Sequence, residues 1–486
     1  MTNSDPRPPE PHRIDASRVD ARQVGARVIV VGAGIAGLAC AFRLQQQGVE
    51  VLVLERDGPG RVGGRMAGEQ RHGVMVDLGA PLLAARHHRM LRIIADAGLT
   101  HQVLAACDLV GVVDGDTIAR SRTGTAPRLL TGGLLRTVPV RDRVTVLTDL
   151  ARARHRMHST RLHLTAGPAV ETLTRYVHRK GLDPRTLDLL LDPLNCTLSL
   201  AEPEDGAAAG ALLFLAFLMR SGGLFTSSIG SAFLPRGLAR LLPVVHHAQV
   251  AQVTSTPAQA AVHWTDRDGG THTDHAQAVV LAVPADRIPA LYEQLDPQVG
   301  ALLASTRYSR LIQVTFHLSG RTSERAVLLA LPRRDSPEWT SAVLQHNLSP
   351  ARVSDGKGLV TCYLRGAASD RQWDIDDMTI VGNILDRARR MRILPELQGA
   401  TTVDVDRISP CVVTRGPHDL ARISAAPKEP RFAHPVLPAG GDLYGYSTTI
   451  GSLKSGEQAA ARTLALLGAR VPDRRRTEIP WPITPS

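Results

Sequence analysis

Three glycines and one acid are the residues of this chain whose spacing most directly implies chemistry. Gly32, Gly34 and Gly37 stand as G-x-G-x-x-G, after the β-branched run Val28–Val31 and before an apolar stretch at 38–44. Glu55 closes a second apolar run at 49–54. Gly32 makes the strand-to-helix turn, Gly34 lets the main chain approach a pyrophosphate where a Cβ would collide, and Gly37 lets the helix sit close on the sheet. Ala33, Ile35 and Ala36 complete the loop, whose unpaired N–H groups and helix dipole favour an anion. Glu55, with Arg56 beside it, is placed to hold the ribose hydroxyls, and its charge disfavours a 2′-phosphate and hence NADP.

Two further motifs specify the nucleotide. Arg61-Val62-Gly63-Gly64-Arg65, followed by Val76-Asp77-Leu78-Gly79-Ala80, resembles the segment that follows the dinucleotide motif in the flavin amine oxidase superfamily. That superfamily includes monoamine oxidases, protoporphyrinogen oxidases and phytoene desaturases. Leu437-Pro438-Ala439-Gly440-Gly441-Asp442 and the stretch at 450–460 resemble its closing flavin motif. The resemblance implies FAD as cofactor, with Gly63, Gly64, Arg65, Gly79 and Ala80 along the pyrophosphate and ribityl chain. It further implies that Gly441 and Asp442 bind the ribityl or phosphate region, that the N–H groups of Ile450 and Gly451 face the flavin N1 and O2 edge, and that Val250 contacts the adenine through its main chain.

The elements needed to position these residues suggest an α/β fold, and the resemblance implies a Rossmann-like FAD-binding domain of the glutathione reductase type with an interleaved α+β substrate domain. The FAD domain is expected from 27–108, 227–286 and 403–468, and the substrate domain from 109–226 and 287–402. Residues 1–26 read as a disordered leader and 469–486 as a tail. Patterning predicts helices at 168–180 and 183–191 and strands at 250–253, 326–331, 341–344 and 359–364. The apolar run at 206–219 is too short to span a bilayer and reads as a buried helix, secondarily as the wall of a substrate channel.

Catalytic residues are harder to name. The stretch around 307–316 resembles the strand on which amine oxidases carry a lysine linked through water to flavin N5, and Gln313 stands at that position. Glutamine keeps hydrogen bonding but loses the charge, so Gln313 is the one candidate for a polar flavin-side group. Ile450 replaces a glutamate common in the superfamily, Thr448 stands near its usual aromatic position, and aromatic residues make up only 3% of the chain. Simple amine oxidation is therefore disfavoured.

Composition sets the remaining expectations. A net charge of +11 is spread along the chain with few aromatics, which argues against nucleic acid and leaves acidic substrates or an anionic membrane surface as partners. Five scattered cysteines and the adjacent pairs His87-His88 and His246-His247 give no metal-ligand spacing, and the cysteines suit a reducing, cytoplasmic compartment, with peripheral membrane contact. The leading expectation is an FAD-dependent oxidase or desaturase that takes a hydride from a hydrophobic or polycyclic small molecule, with O2 or another acceptor. Amine C–N oxidation, a redox-neutral flavin isomerase and a non-catalytic scaffold like the Rab GDP-dissociation inhibitors are the alternatives.

Overall fold

The computed structural model describes residues 28–153, 171–353, 356–425, 435–443 and 445–468. The leader and tail expected at the termini lie outside these, as do Tyr444 and the start of the helix expected at 168–180.

Short apolar strands form a five-stranded parallel sheet in the order Val244–Val245, Val51–Leu54, Val28–Val31, Ala278–Leu281, Val436–Pro438. Both faces are covered. Val28, Val30, Val51 and Val53 point into one core with the helix Ile35–Gln45, while Ile29, Val31, Leu52 and Leu54 point into another beneath an antiparallel meander of Gln249–Ser255, Ala260–Thr265 and Thr271–Ala276. Burial on two faces is why these strands read as unbroken apolar runs. Strand order reverses beside Val28–Val31, so a crevice opens at its carboxyl end, where doubly wound folds bind ligands.

The last helix, Thr449–Leu466, lies against Ile35–Gln45. A Cβ on Gly456 would sit 2.1 Å from the Ala36 carbonyl oxygen, so only glycine permits this approach. Glu457 on this helix pairs with the buried Arg43 at 2.8 Å.

The second domain is a seven-stranded sheet in the order Ala400–Ile408, Leu311–Leu318, Gly358–Leu364, Trp339–Leu344, Leu328–Ala330, Leu109–Asp114, Thr117–Arg122. Every pairing is antiparallel except that of Leu328–Ala330 with Leu109–Asp114. Because Leu311 pairs with Ile408 and Phe316 with Val403, the chain returns to the nucleotide domain after Ile408, not at 403 as the sequence suggested.

Helices cover this sheet. The helix expected at 183–191 instead runs as Pro184–Thr186, a wide π turn Leu187–Leu191 and Asp192–Ser199. Pro193, which has no N–H to donate, follows the turn whose i→i+5 spacing already loosens the ladder, so the helix continues where a break was expected. The apolar run forms the helix Ala208–Leu218.

Candidate active site and nucleotide cradle

The glycine loop leaves room in one direction only. A Cβ on Gly37 would meet the Gly32 carbonyl oxygen at 2.0 Å, and Gly32 itself has φ +103° with Ala282 O at 2.7 Å from an added Cβ. Gly34 is different, since among the described residues no atom beyond its chain neighbours lies within 4 Å of its added Cβ. The space before Gly34 is thus kept clear of protein, as a pyrophosphate requires. Glu55 is buried, with Oε2 accepting from the Ala33 N–H at 2.6 Å and Oε1 from the Asp57 N–H at 2.9 Å. Each oxygen keeps a lone pair for a ribose hydroxyl. Burial raises the Glu55 pKa, and the two N–H groups partly oppose the shift.

Gly63 adopts φ +111° and Gly64 φ +57°, and the Gly63 N–H donates to Ala33 O at 3.0 Å, which seats the second motif on the first. A Cβ on Gly79 would lie 2.2 Å from Arg65 O, and the Ala80 N–H donates to that oxygen at 3.0 Å. Gln249 and Val250 open the Gln249–Ser255 strand and both line the crevice, Gln249 exposed and Val250 with its side chain buried in the core, so Val250 meets the crevice through its main chain.

These residues line one cavity of about 1080 Å³ that runs from the glycine loop into the substrate domain. Gly32, Gly34, Ile35, Ala36, Glu55, Arg56, Gly63, Gly64, Arg65, Gly79, Ala80, Val250, Asp442 and Ile450 are on its wall. Ala33, Gly37 and Gly441 stand behind it and shape the backbone. Gly441 faces the closing helix, where an added Cβ would come within 2.8 Å of the Ser452 N–H nitrogen.

Two expectations need correction, those for Gly451 and Gln313. The Gly451 N–H does not face the cavity, because it donates to the Thr448 Oγ1 that caps the helix, at 3.1 Å. The Asp442 carboxylate is already engaged, accepting from Arg65 at 2.5 Å, Ser447 at 2.7 Å and Tyr308 at 3.0 Å. Gln313 is fully buried behind the wall, where its amide donates to Asp77 O at 3.1 Å and Asp406 Oδ2 at 3.2 Å. A buried strand position has two faces, and Gln313 points to the one that joins the domains and does not line the cavity.

The substrate half of the cavity is apolar. Leu198, Leu213, Phe214, Phe217, Leu328 and Val343 line it, so the helix Ala208–Leu218 buries Ala211 and Leu215 on one side and forms the channel wall on the other. Against this wall stand three hydroxyls the sequence did not single out as substrate contacts, those of Thr340, Tyr363 and Tyr446. All three side chains are buried, and among the described residues none of the hydroxyls has a hydrogen-bond partner. An irregularity between Trp339 and Ser341 puts Thr340 and Ser341 on the wall together, which strict alternation forbids. Buried polar groups without partners are uncommon and cost free energy unless a ligand meets them.

The site therefore fits FAD on its own residues: clear space at Gly34, a doubly oriented carboxylate at Glu55, and a second glycine turn at 63–64 facing the first. The family model for flavin-containing amine oxidoreductases matches residues 35–464. The chain belongs to that family and is an FAD-dependent oxidoreductase. A Mycobacterium tuberculosis protein named coproporphyrinogen III oxidase is 26% identical over 298 residues, covering 56% of this chain and 62% of the relative. Another protein of that organism, provisionally named a flavin-containing monoamine oxidase, is 39% identical over 112 residues, covering 22% of this chain and 23% of the relative. The chain thus matches less than two thirds of either relative's length. Among solved structures, cyclohexylamine oxidase from Brevibacterium oxydans superposes with a TM-score of 0.73 at 18% identity, covering 92% of this chain and all of that one. Among the described residues, no helix is long and apolar enough to cross a membrane.

Proposed function

We propose that this oxidoreductase dehydrogenates a largely apolar small molecule at carbon, in the manner of porphyrinogen oxidases and desaturases and within a biosynthetic pathway. The observation that carries the reading is the substrate half of the cavity, an apolar wall with three unpartnered hydroxyls and no carboxylate. The only carboxylates on the wall among the described residues are Glu55, Asp57 and Asp442, all in the nucleotide half. An ammonium group would find no counter-charge there.

FAD, when bound, supplies a two-electron acceptor for a hydride and is reoxidised by O2 or another acceptor. Gly34 and the start of the helix Ile35–Gln45 would hold its pyrophosphate, Glu55 its ribose, and the Thr448-capped helix start with Ile450 its ring end. The chain's own part in the reaction is position. Leu213, Phe214 and Phe217 exclude water, while the Thr340, Tyr363 and Tyr446 hydroxyls orient polar substituents so that one C–H faces the ring. Burial raises the pKa of both tyrosines, so they act as neutral donors and not as bases.

Amine oxidation is the second reading, favoured by the family's description and by the fold shared with cyclohexylamine oxidase. Anaerobic titration of the holoenzyme with fractionated small-molecule extract, followed by mass spectrometry, separates the two. Flavin bleaching with a product that has lost hydrogens in pairs and kept every nitrogen of its substrate is expected. Bleaching by simple amines alone would overturn the proposal, and turnover at unchanged mass would point to an isomerase.

A further inference from the structure

Among the described residues, seven arginines line the cavity. Five are matched by an acid: Arg56 by Asp57, Arg61 by Glu69, Arg65 by Asp442, Arg287 by Asp286 and Arg407 by Asp377. The other two, Arg86 and Arg220, have no carboxylate partner among the described residues. The backbone brings them to one place. The Arg86 N–H donates to Ser221 O at 2.8 Å, and a Cβ on Gly222 would lie 2.6 Å from Arg86 Cγ. Both side chains line the cavity and reach solvent, which puts them where it opens.

Neutral donors stand beside them. Ser221 is only 2% exposed and lines the cavity, yet its Oγ has no partner among the described residues. His87, next to Arg86, also lines it, and its buried Nδ1 has no hydrogen-bond partner among the described residues. Burial, reinforced by His88, pushes the His87 pKa down to about 4, so the imidazole stays neutral at pH 7. His87 is the N-cap of the helix His88–Asp96, whose first turn contains no acid. Positive charge, free donors and a positive helix end meet at one end of an otherwise apolar channel.

We infer that this mouth binds the carboxylate of an amphipathic substrate whose apolar body lies along Leu213, Phe214 and Phe217. The inference rests on the proposed apolar substrate and adds its head group. Guanidinium forks match the two oxygens of a carboxylate, and two cations flanked by a neutral imidazole and a hydroxyl suit a single negative charge better than a doubly charged phosphate monoester.

The test is calorimetric titration of the reconstituted holoenzyme with dodecanoate, dodecanol, dodecylamine and dodecyl phosphate below their aggregation concentrations. Dodecanoate is expected to bind roughly tenfold or more tighter than dodecanol, the gain typical of a charge-assisted pair. In the Arg86→Gln/Arg220→Gln double variant that advantage should vanish while dodecanol affinity stays unchanged. Both sites are exposed, and a melting curve confirms that the variant folds. Equal binding of acid and alcohol, or tightest binding of the amine, would overturn the inference and leave the apolar reading standing if dodecanol still binds. Tighter binding of dodecyl phosphate would overturn the choice of carboxylate. Failure of both dodecanol and dodecanoate would remove the apolar reading and this inference together.

Discussion

Arg65 and Asp442, 377 residues apart in the sequence, meet as an ion pair at 2.5 Å in the wall of the cavity. Each comes from a different flavin motif, so the pair fastens the early and late parts of the nucleotide domain together. Ser447 and Tyr308 complete the shell around the carboxylate, and Tyr308 also accepts from the Ala285 N–H at 2.8 Å. Asp442→Ala would leave Arg65 without its counter-charge and Tyr308 without its acceptor. Removing one member of a buried pair costs about 3 to 5 kcal/mol, and because Arg65 is a third exposed a loss nearer the low end is expected. Thermal unfolding of cofactor-free and FAD-loaded protein checks this, and an unchanged melting temperature would show that the pair does not hold the domain together.

The glycine loop allows a sharper separation of folding from binding. Gly34→Val places its side chain in space no protein atom occupies, and Gly34 has φ −70°, which valine tolerates. The variant should fold and purify colourless. Gly37→Val forces an atom within 2.0 Å of Gly32 O and should not fold. Circular dichroism and the flavin absorbance ratio distinguish the outcomes, and a yellow Gly34→Val protein would overturn the placement of the pyrophosphate.

Acid should release the cofactor before it unfolds the chain. Burial raises the Glu55 pKa, while the ribose hydroxyls need an ionised acceptor. FAD affinity should therefore fall by about tenfold per pH unit below that raised value. Asp442 behaves oppositely. Burial pushes its pKa up, but Arg65, Ser447 and Tyr308 outweigh it and hold the pKa below the usual carboxylate range. The stability it contributes is fully present above the unfolded value of about 3.9 and is lost as pH falls through the lower folded value. Flavin fluorescence followed alongside circular dichroism should give two midpoints, with release at the higher pH. Coincident midpoints would contradict this order.

The nucleotide half was legible in the sequence because its residues act through the backbone. A glycine that must turn or yield space is marked by being glycine, and Glu55 is marked by ending a buried strand. The substrate half depends on which face of a buried strand is turned where, and on register. Thr340 reaches the wall only through a pairing irregularity, and Arg86 meets Ser221 through a backbone bond across 135 positions of chain, roughly the reach no local pattern covers. Gln313 shows the same limit, since its type and strand were right for a polar contact and its direction was not readable.

Gln313 now carries a different expectation. Its amide fastens the strand Leu311–Leu318 to Asp77 O and Asp406, and its Oε1 has no partner. Gln313→Leu removes the two donated bonds but also the unpartnered oxygen, so the net loss should be about 1 to 3 kcal/mol. FAD affinity should stay within a few fold. A flavin that binds tenfold more weakly, or whose spectrum shifts, would return Gln313 to the cofactor's edge.

Asp77 and Arg352 form the most deeply buried tie between the domains, at 2.8 Å with both side chains fully excluded from solvent. Asp77 also accepts from the Ser231 N–H at 3.0 Å, and Arg352 donates to Gln345 Oε1 at 3.0 Å and Met75 O at 3.2 Å. Burial raises the Asp77 pKa in spite of Arg352, which means that desolvation exceeds the pair's attraction. Arg352→Met alone should therefore destabilise by about 3 to 5 kcal/mol by stranding a buried charge, whereas Arg352→Met with Asp77→Leu should recover much of that loss. Denaturant unfolding of the two variants provides the comparison. If the double variant were no more stable than the single, the pair's value would lie in the bonds to Ser231, Gln345 and Met75, which hold the substrate sheet over the nucleotide crevice whatever charge sits at their centre.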